Sequence, residues 1–306
     1  MSVSTAAPPL PTSKRAKGGT GGAVNTLPLV SPAVLLLLAW SLIPLAMTII
    51  YSFQRYNLLN PLIQGWAGIN NYKFLFADPA LLSSLVVTVE LVVAVLAITL
   101  CFGAVLAALF EVRFPGRGVA RVLFIAPFFV MPTVSALIWK NLLMNPVNGL
   151  FAFLLRSVGL APVDWFAQVP LLSIIIIVAW QWLPFAFLIL LTALQSLSEE
   201  TLEAARLDGA GAVSIFRHVQ VPHMGRAISV VVMMETIFLL GVFAEIYVTT
   251  SGGPGIATTN LAFLIYQRAL LAFNVGGASA AGVIAIILAN IMAMFLVRTV
   301  ANRLDV

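Results

Sequence analysis

Six long apolar runs leave this chain almost no choice of fold. They fall at about 29–52, 83–110, 119–141, 170–194, 227–250 and 279–300. A helix that crosses a bilayer needs about 20 mostly apolar residues, and each run meets that length. Hydrocarbon offers no partner to an unpaired N–H or C=O, so every run must be helical. Composition agrees: 61% of the 306 residues are hydrophobic and 9% charged, with a mean hydropathy of +1.06. A soluble domain carries about 25% charged residues. The expected class is all-α integral membrane, with six transmembrane helices.

The few charges then orient the chain. Its net charge is +5, but the cations do not form the basic stripe with interleaved aromatics that nucleic acid would require. They collect between apolar runs, so the surroundings to expect are membrane lipid, not nucleic acid. Residues 1–28, rich in Pro, Ser, Thr, Ala and Gly, cannot bury enough apolar surface to order themselves. They read as a flexible cytoplasmic tail ahead of a transmembrane domain over 29–306. The run at 29–52 is too long for a signal peptide and lacks a small-residue cleavage site, so it reads as an uncleaved span. With the N-terminus inside, the cytoplasmic side holds Lys14, Arg15, Lys17, Arg113, Arg117, Arg121, Arg206, Arg217, Arg226, Arg298 and Arg303. The opposite side holds Arg55, Lys73, Lys140, Arg156 and Arg268. Eleven against five places both termini in the cytoplasm. The single cysteine, Cys101, lies inside an apolar run and excludes an intrachain disulfide.

The connections differ in kind. Trp66 and Tyr72 in the first outer one favour the membrane–water boundary, and Ser251-Gly252-Gly253-Pro254-Gly255 breaks the helix after the fifth run. The connection over about 196–226 is long, cytoplasmic and itself patterned as helix. Ser198 can cap a short helix, with Glu199, Glu200 and Glu203 near its positive end. Ala204 and Ala205 keep one face small, and Gly209 and Gly211 permit a sharp turn. A second short helix, anchored by Ile215 and Phe216, ends before Pro222. On these grounds alone an amphipathic connector lying on the membrane explains the segment equally well.

The spacing says more. Glu203-Ala204-Ala205, then Gly209 after three residues, then Val219-Gln220-Val221-Pro222 after nine more, resembles the EAA motif of ABC importer permeases. Asp208, Ala210 and Phe216 also match its common form. The family has Ile and Leu where Val219 and Val221 stand, and a second proline where this chain has Arg226. Trp182, Pro184 and Phe185, Ala193-Leu194-Gln195, Gly68-Ile69-Asn70-Asn71-Tyr72 and Ser251-Gly252-Gly253-Pro254 resemble the maltose-type sugar permeases. The stretch from Thr258 to Asn290 is most similar to the sugar-alcohol (sorbitol and mannitol) branch. The resemblance covers about residues 29–300.

It implies a permease subunit, moving a sugar or polyol inward across a bacterial cytoplasmic (inner) membrane. The implied partners are a homologous second permease, an ATPase subunit dimer docked on Glu203, Ala204, Ala205, Asp208, Gly209, Ala210, Phe216 and Pro222, and an extracytoplasmic solute-binding protein. No G-x-x-x-x-G-K-[ST] occurs, and Gly18-Gly19-Thr20-Gly21-Gly22 lacks the lysine, so nothing here cradles ATP phosphates. The resemblance puts ATP and Mg on the partner ATPase; the chain binds no cofactor of its own and holds no catalytic residue.

Ionisable groups inside spans are costly and usually face the protein interior or water. Glu90 and Lys140 read as structural, with Lys140 able to snorkel. Glu235 and Glu245, ten residues apart on a single helix, would lie about 80° apart around its axis. With Trp180, Gln181 and Asn290 they are candidates for solute contact, since a carboxylate accepts the hydroxyl donors of a polyol. Interhelical hydrogen bonding is the other reading. Prolines 127, 132 and 184 can kink their spans. His218 and His223 have no carboxylate or cysteine at ligand spacing, so no metal is expected. A secondary transporter driven by an ion gradient could also use Glu235 and Glu245, but would leave the EAA-like loop without a purpose. A membrane enzyme would need clustered acids or nucleophiles at one face, and the acidic residues are scattered outside 199–208. A purely structural subunit would tolerate apolar replacement of its polar span residues.

Overall fold

The computed structural model describes residues 27–60, 62, 64–112 and 114–301. Residues 1–26 of the expected tail lie outside these, as do the cations Lys14, Arg15, Lys17, Arg113 and Arg303. Helix begins at once: α1 (Leu27–Ser52) leads to a two-residue antiparallel ladder of β1 (Gln54–Arg55) on β2 (Gly65–Trp66). Then come α2 (Asn70–Ala77), α3 (Pro79–Glu111), α4 (Arg117–Ile125) and α5 (Pro132–Ile138). Short helices α6 (Leu150–Ser157) and α7 (Trp165–Gln168) precede the long α8 (Pro170–Leu194). Next are α9 (Glu199–Leu207), α10 (Ala212–Ile215), α11 (Val221–His223), α12 (Gly225–Leu239) and α13 (Ala244–Thr249). The last two are α14 (Leu261–Tyr266) and α15 (Val275–Ala301). The part of α1 up to Ala46 belongs to one compact unit, and the chain from Met47 onward to another.

The second unit is organised around α3 and α8. Asp78 caps α3 by accepting from the Ala80 N–H (2.8 Å), and Pro79 occupies its first position, where no donor is missed. Gly103 sets the closest approach of the two helices. A Cβ there would stand 3.1 Å from Ala186 Cβ and 3.3 Å from Phe187 N. Small residues at such crossings let membrane helices pack where no hydrophobic gain separates protein from lipid. One buried cluster joins Leu91, Val95, Ile174, Val178, Leu239 and Phe263; a second joins Ala107, Phe187, Leu190, Leu194 and Met224.

Four helical segments are long and apolar enough to cross a membrane: Val30–Ser52, Pro79–Glu111, Pro170–Leu194 and Val275–Phe295. The other two expected spans are not straight. The third bends by 105° between Arg117–Phe129 and Pro132–Leu143. Met131 is extended (φ −60, ψ 139) because it precedes Pro132, whose ring disfavours helical geometry at the residue before it. Pro184, in contrast, sits inside an unbroken α8.

The fifth expected span, 227–250, is not one helix. It divides into α12, of 15 residues, and α13, of 6, with Leu240–Phe243 between them outside any helix. Gly241 in the gap is a poor helix former, and Phe243 adopts φ −141, ψ −50. The connection after it is structured too. It contains α14, which packs against α3 and α15.

Candidate functional site

The 196–226 connection folds on itself through local bonds. Ser198 caps α9, its Oγ accepting from the Thr201 N–H (3.4 Å) and lying 2.7 Å from Thr201 Oγ1. Glu199 and Glu200 occupy the first turn, where the helix dipole favours negative charge. At the other end the Ala210 N–H donates to Ala205 O and the Gly209 N–H to Arg206 O, both at 3.0 Å. That pair of bonds is a Schellman closure, which needs a left-handed residue at its first position past the cap. Gly209 supplies it with φ +83. A Cβ at Gly209 would touch nothing within 4 Å, so backbone conformation, not space, demands glycine here.

The return arm shifts register. The Val221 N–H donates to Phe216 O, five residues back, forming a π-turn over Phe216–Gln220 just before Pro222. Proline has no N–H to continue the ordinary ladder, and the wider turn absorbs one extra residue. Arg226, where a second proline was absent, lies in the first turn of α12, which starts cleanly at Gly225.

This arrangement divides the loop into two faces. Ile215 is buried and Phe216 packs against the cluster of Phe187 and Met224, so both hold the loop to the bundle. Leu207 is 88% exposed and Val213 80%, one on each side of the Gly209–Gly211 turn. Ala204, Asp208, Gly209 and Pro222 are exposed with them, Ala205 and Ala210 half-buried. Sequence reading had not singled out Leu207 or Val213. Their signal was two aliphatic residues on a polar segment, set apart from the anchors Ile215 and Phe216. Behind the loop a cleft of about 840 Å³ separates α9 and α10 from the end of α3, and Glu203, Arg206 and Glu111 line it. Across it Gln220 donates from Nε2 to Glu111 Oε2 (2.8 Å), with the Arg117 and Arg206 guanidiniums acting on the same carboxylate. Gln220, only 9% exposed, therefore ties the loop to α3.

His218 Nδ1 lies 3.1 Å from Ser214 O, while His223 Nε2 lies 3.0 Å from Ser196 Oγ. The partner of His218 is one turn back, and that of His223 lies at the far end of the loop.

The solute-contact candidates do not converge. Glu235 is fully enclosed, and its Oε2 accepts from Thr99 Oγ1 of α3 (2.7 Å). Glu245, also buried, sits on α13 beyond the break, so the 80° offset expected on one continuous helix does not apply. Gln181 donates from Nε2 to Val130 O (2.7 Å), closing the carbonyl freed at the bend of the third span. Trp180 packs edge-on against Trp139, with ring centroids 5.7 Å apart. Asn290 is exposed and donates to Ile286 O on its own helix (2.8 Å). Lys140 donates to Val248 O and Thr249 O (both 2.9 Å), capping the carbonyl end of α13.

Long apolar helices, some bent or broken, around a tightly packed pair define a membrane-embedded helical domain. Residues 99–306 match the family of binding-protein-dependent transport system inner membrane components, and the chain belongs to that family. It is 33% identical over 251 residues to a probable ABC transporter permease of Sinorhizobium fredii, covering 81% of each chain. It is 31% identical over 242 residues to the trehalose/maltose transport system permease protein MalF of Thermococcus litoralis, covering 78% of this chain and 81% of that one. Its fold is that of a bacterial ABC transporter involved in importing the acidic polysaccharide alginate (TM-score 0.75, 20% identity, 90% of this chain and 94% of the other). The protein is thus an ABC importer permease, an integral membrane transport component and not an enzyme.

Proposed function

We propose that the chain imports a carbohydrate, a sugar or sugar alcohol, and receives the work of ATP hydrolysis from a separate ATPase seated on Glu203–Pro222. The observation that carries the docking role is the Schellman turn at Gly209, which holds Leu207 and Val213 outward while Ile215, Phe216 and Gln220 fasten its back to the bundle. A rigid loop anchored to α3 passes a push on its tip to the helix that organises the domain. The exposed set Ala204, Asp208, Gly209 and Pro222 forms the contact surface with Leu207 and Val213; Phe216 serves it from behind.

The carbohydrate class rests on the relatives, among them the trehalose/maltose permease, and the polyol refinement on the resemblance of Thr258–Asn290. The family's description as binding-protein-dependent supports an external solute-binding protein as partner, and a homologous second permease completes the passage. The cation count supports both termini in the cytoplasm, and the family's description as inner membrane components supports a bacterial inner membrane. Glu235 can meet solute only if α3 and α12 part, because Thr99 and the bundle enclose it now.

Gly209→Asp tests the docking role. A left-handed aspartate is strained and puts a charge at the centre of the contact face. Membrane insertion should persist, while uptake is lost and the ATPase no longer co-purifies. Normal co-purification with the variant would refute the assignment.

A further inference from the structure

α3 is held at both ends by charged side chains, and each hold comes from far along the chain. At its C-terminal end Glu111 accepts from Gln220 of the 196–226 loop, 109 residues away. At its N-terminal end Asp78 accepts from Arg268, 190 residues away, in the one ion pair among the described residues. Asp78 serves two groups there. Its Oδ1 caps the Ala80 N–H (2.8 Å) while its Oδ2 takes the guanidinium, so Arg268 is fastened to the helix end itself. Both side chains are half-buried.

Arg268 belongs to a segment pinned along α3. α14 runs directly into a π-turn over Gln267–Leu271. Its first N–H, at Leu261, donates to Thr88 Oγ1 (2.9 Å) inside the bundle. The segment therefore meets α3 twice, at Thr88 by its start and at Asp78 by its end. The chain just after it is knitted to the first connection: the Leu58 N–H donates to Phe273 O (2.9 Å) and the Gly276 N–H to Tyr56 O (3.1 Å). A Cβ on Gly276 would collide with Gln54 O, so the two stretches pass in contact. Thr88 and residues 54–58 thus fasten this connection without the ion pair. What the pair adds is a grip on the end of α3.

Between its two holds α3 is one helix of 33 residues with no proline in its interior, about 50 Å long. It packs along α8, with Gly103 at the closest approach. Close-packed interiors are barely compressible and transmit strain, so a displacement at one end of α3 is felt at the other.

We propose that the Asp78–Arg268 pair joins the external face of the protein to the ATPase through α3. On the proposed orientation the pair stands outside the membrane and Glu111 on the cytoplasmic side. A load placed on the Leu261–Gly276 connection by the solute-loaded binding protein enters α3 at Asp78 and reaches the 196–226 loop through Glu111 and Gln220. Asp78 and Arg268 are positioning residues, touching neither solute nor nucleotide. This rests on the reading of the chain as a binding-protein-dependent permease with its ATPase on Glu203–Pro222.

The test measures ATP hydrolysis by the complete transporter in proteoliposomes, with and without its solute-binding protein. The binding protein is loaded from a panel of trehalose, maltose, sorbitol and mannitol. Asp78→Asn removes the charge but keeps the cap, since asparagine caps a helix as well as aspartate does. Asp78→Asn and Arg268→Gln should each lower the stimulation by loaded binding protein about fivefold, the upper end for an ion pair near the surface. Hydrolysis without binding protein, and the subunit composition of the purified complex, should stay at wild-type levels. The double variant should fall no further than the lower single one, because both remove the same bond. Arg268→Lys keeps the charge and should retain most of the stimulation. Gln220→Leu, at the other end of α3, should lower it as well, and joined with Arg268→Gln should add nothing. Full stimulation in Asp78→Asn overturns the proposal. So does a combined loss equal to the product of the two end variants, which would mean separate routes. Loss of basal hydrolysis or of a subunit would make the pair an assembly contact and overturns it too. A wild-type complex that no loaded binding protein stimulates overturns the binding-protein reading itself, and the role of the pair with it.

Discussion

The 196–226 loop and the broken fifth span both interrupt helices, yet they satisfy their backbone in opposite ways. In the loop the bonds that close α9 are local. Ser198 reaches Thr201, and Gly209 and Ala210 reach back to Arg206 and Ala205. In the spans the closing groups come from far along the chain. Asn260 seals Val242 from 18 residues away, and Gln181 seals Val130 from 51. The solvent explains the difference. At the rim a carbonyl left open finds water, so a short turn motif suffices. At hydrocarbon depth it does not, and a side-chain amide must be brought in from another element. Amides in the spans of such a chain are therefore candidates for sealing backbone before they are candidates for solute contact.

The largest effect expected from this contrast is at Asn260. Its amide donates to Val242 O, and its Oδ1 accepts from the Phe263 N–H at the start of α14 (2.9 Å). Asn260→Leu would leave both groups unpaired at membrane depth, at a cost of about 1–3 kcal/mol each. The melting midpoint of the purified protein should fall sharply. Asn260→Asp keeps the acceptor for Phe263 and should lose less. A leucine variant that melts with the wild type would show that the break needs no seal.

The same contrast accounts for what sequence could disclose. The loop was legible because its chemistry is periodic and local: a cap at Ser198, acids in the first turn, a glycine where the backbone turns left-handed. The helical class was legible because apolar length leaves no other solution. The interruption at Leu240–Phe243 was not, since Gly241 is the lone weak helix former in an apolar run, and its partner Asn260 lies beyond the Ser-Gly-Gly-Pro loop. Glu235 shows the limit from the other side. A carboxylate in a span pointed to solute, but its nearest partner is Thr99, which no spacing argument could have paired with it. Of the prolines, 132 bends its span and 184 does not, because the chain before Pro132 turns extended while α8 stays packed against α3 on both sides of Pro184.

A smaller effect belongs to the bond that ties the loop to α3. Gln220 links the loop to Glu111 at the end of α3, so on the proposed docking role it would transmit motion without holding the ATPase. Gln220→Leu should leave ATPase binding intact, because Leu207 and Val213 keep their places. Solute moved per ATP hydrolysed should drop about tenfold, the weight of one hydrogen bond to a charged group. An unchanged ratio would mean that the push reaches α3 through Ile215 and Phe216 alone.

The smallest structural effect is expected at Asn290, where the two uses of a membrane amide separate. Its Nδ2 donates to Ile286 O, one turn back on its own helix, and the side chain is exposed. That carbonyl belongs to the regular ladder of α15 and does not depend on the amide, as Val242 O depends on Asn260. Asn290→Ala should therefore change stability by less than about 0.5 kcal/mol, the usual range for a surface substitution. Any functional change in this variant then has to come from contact with solute or with the second permease, and only the former raises the half-saturation while the complex stays assembled. A raised half-saturation for uptake at an unchanged melting midpoint, with the second permease still in the complex, would put Asn290 on the passage. Two unchanged values would remove it from the solute path and leave its amide with the purely local bond to Ile286.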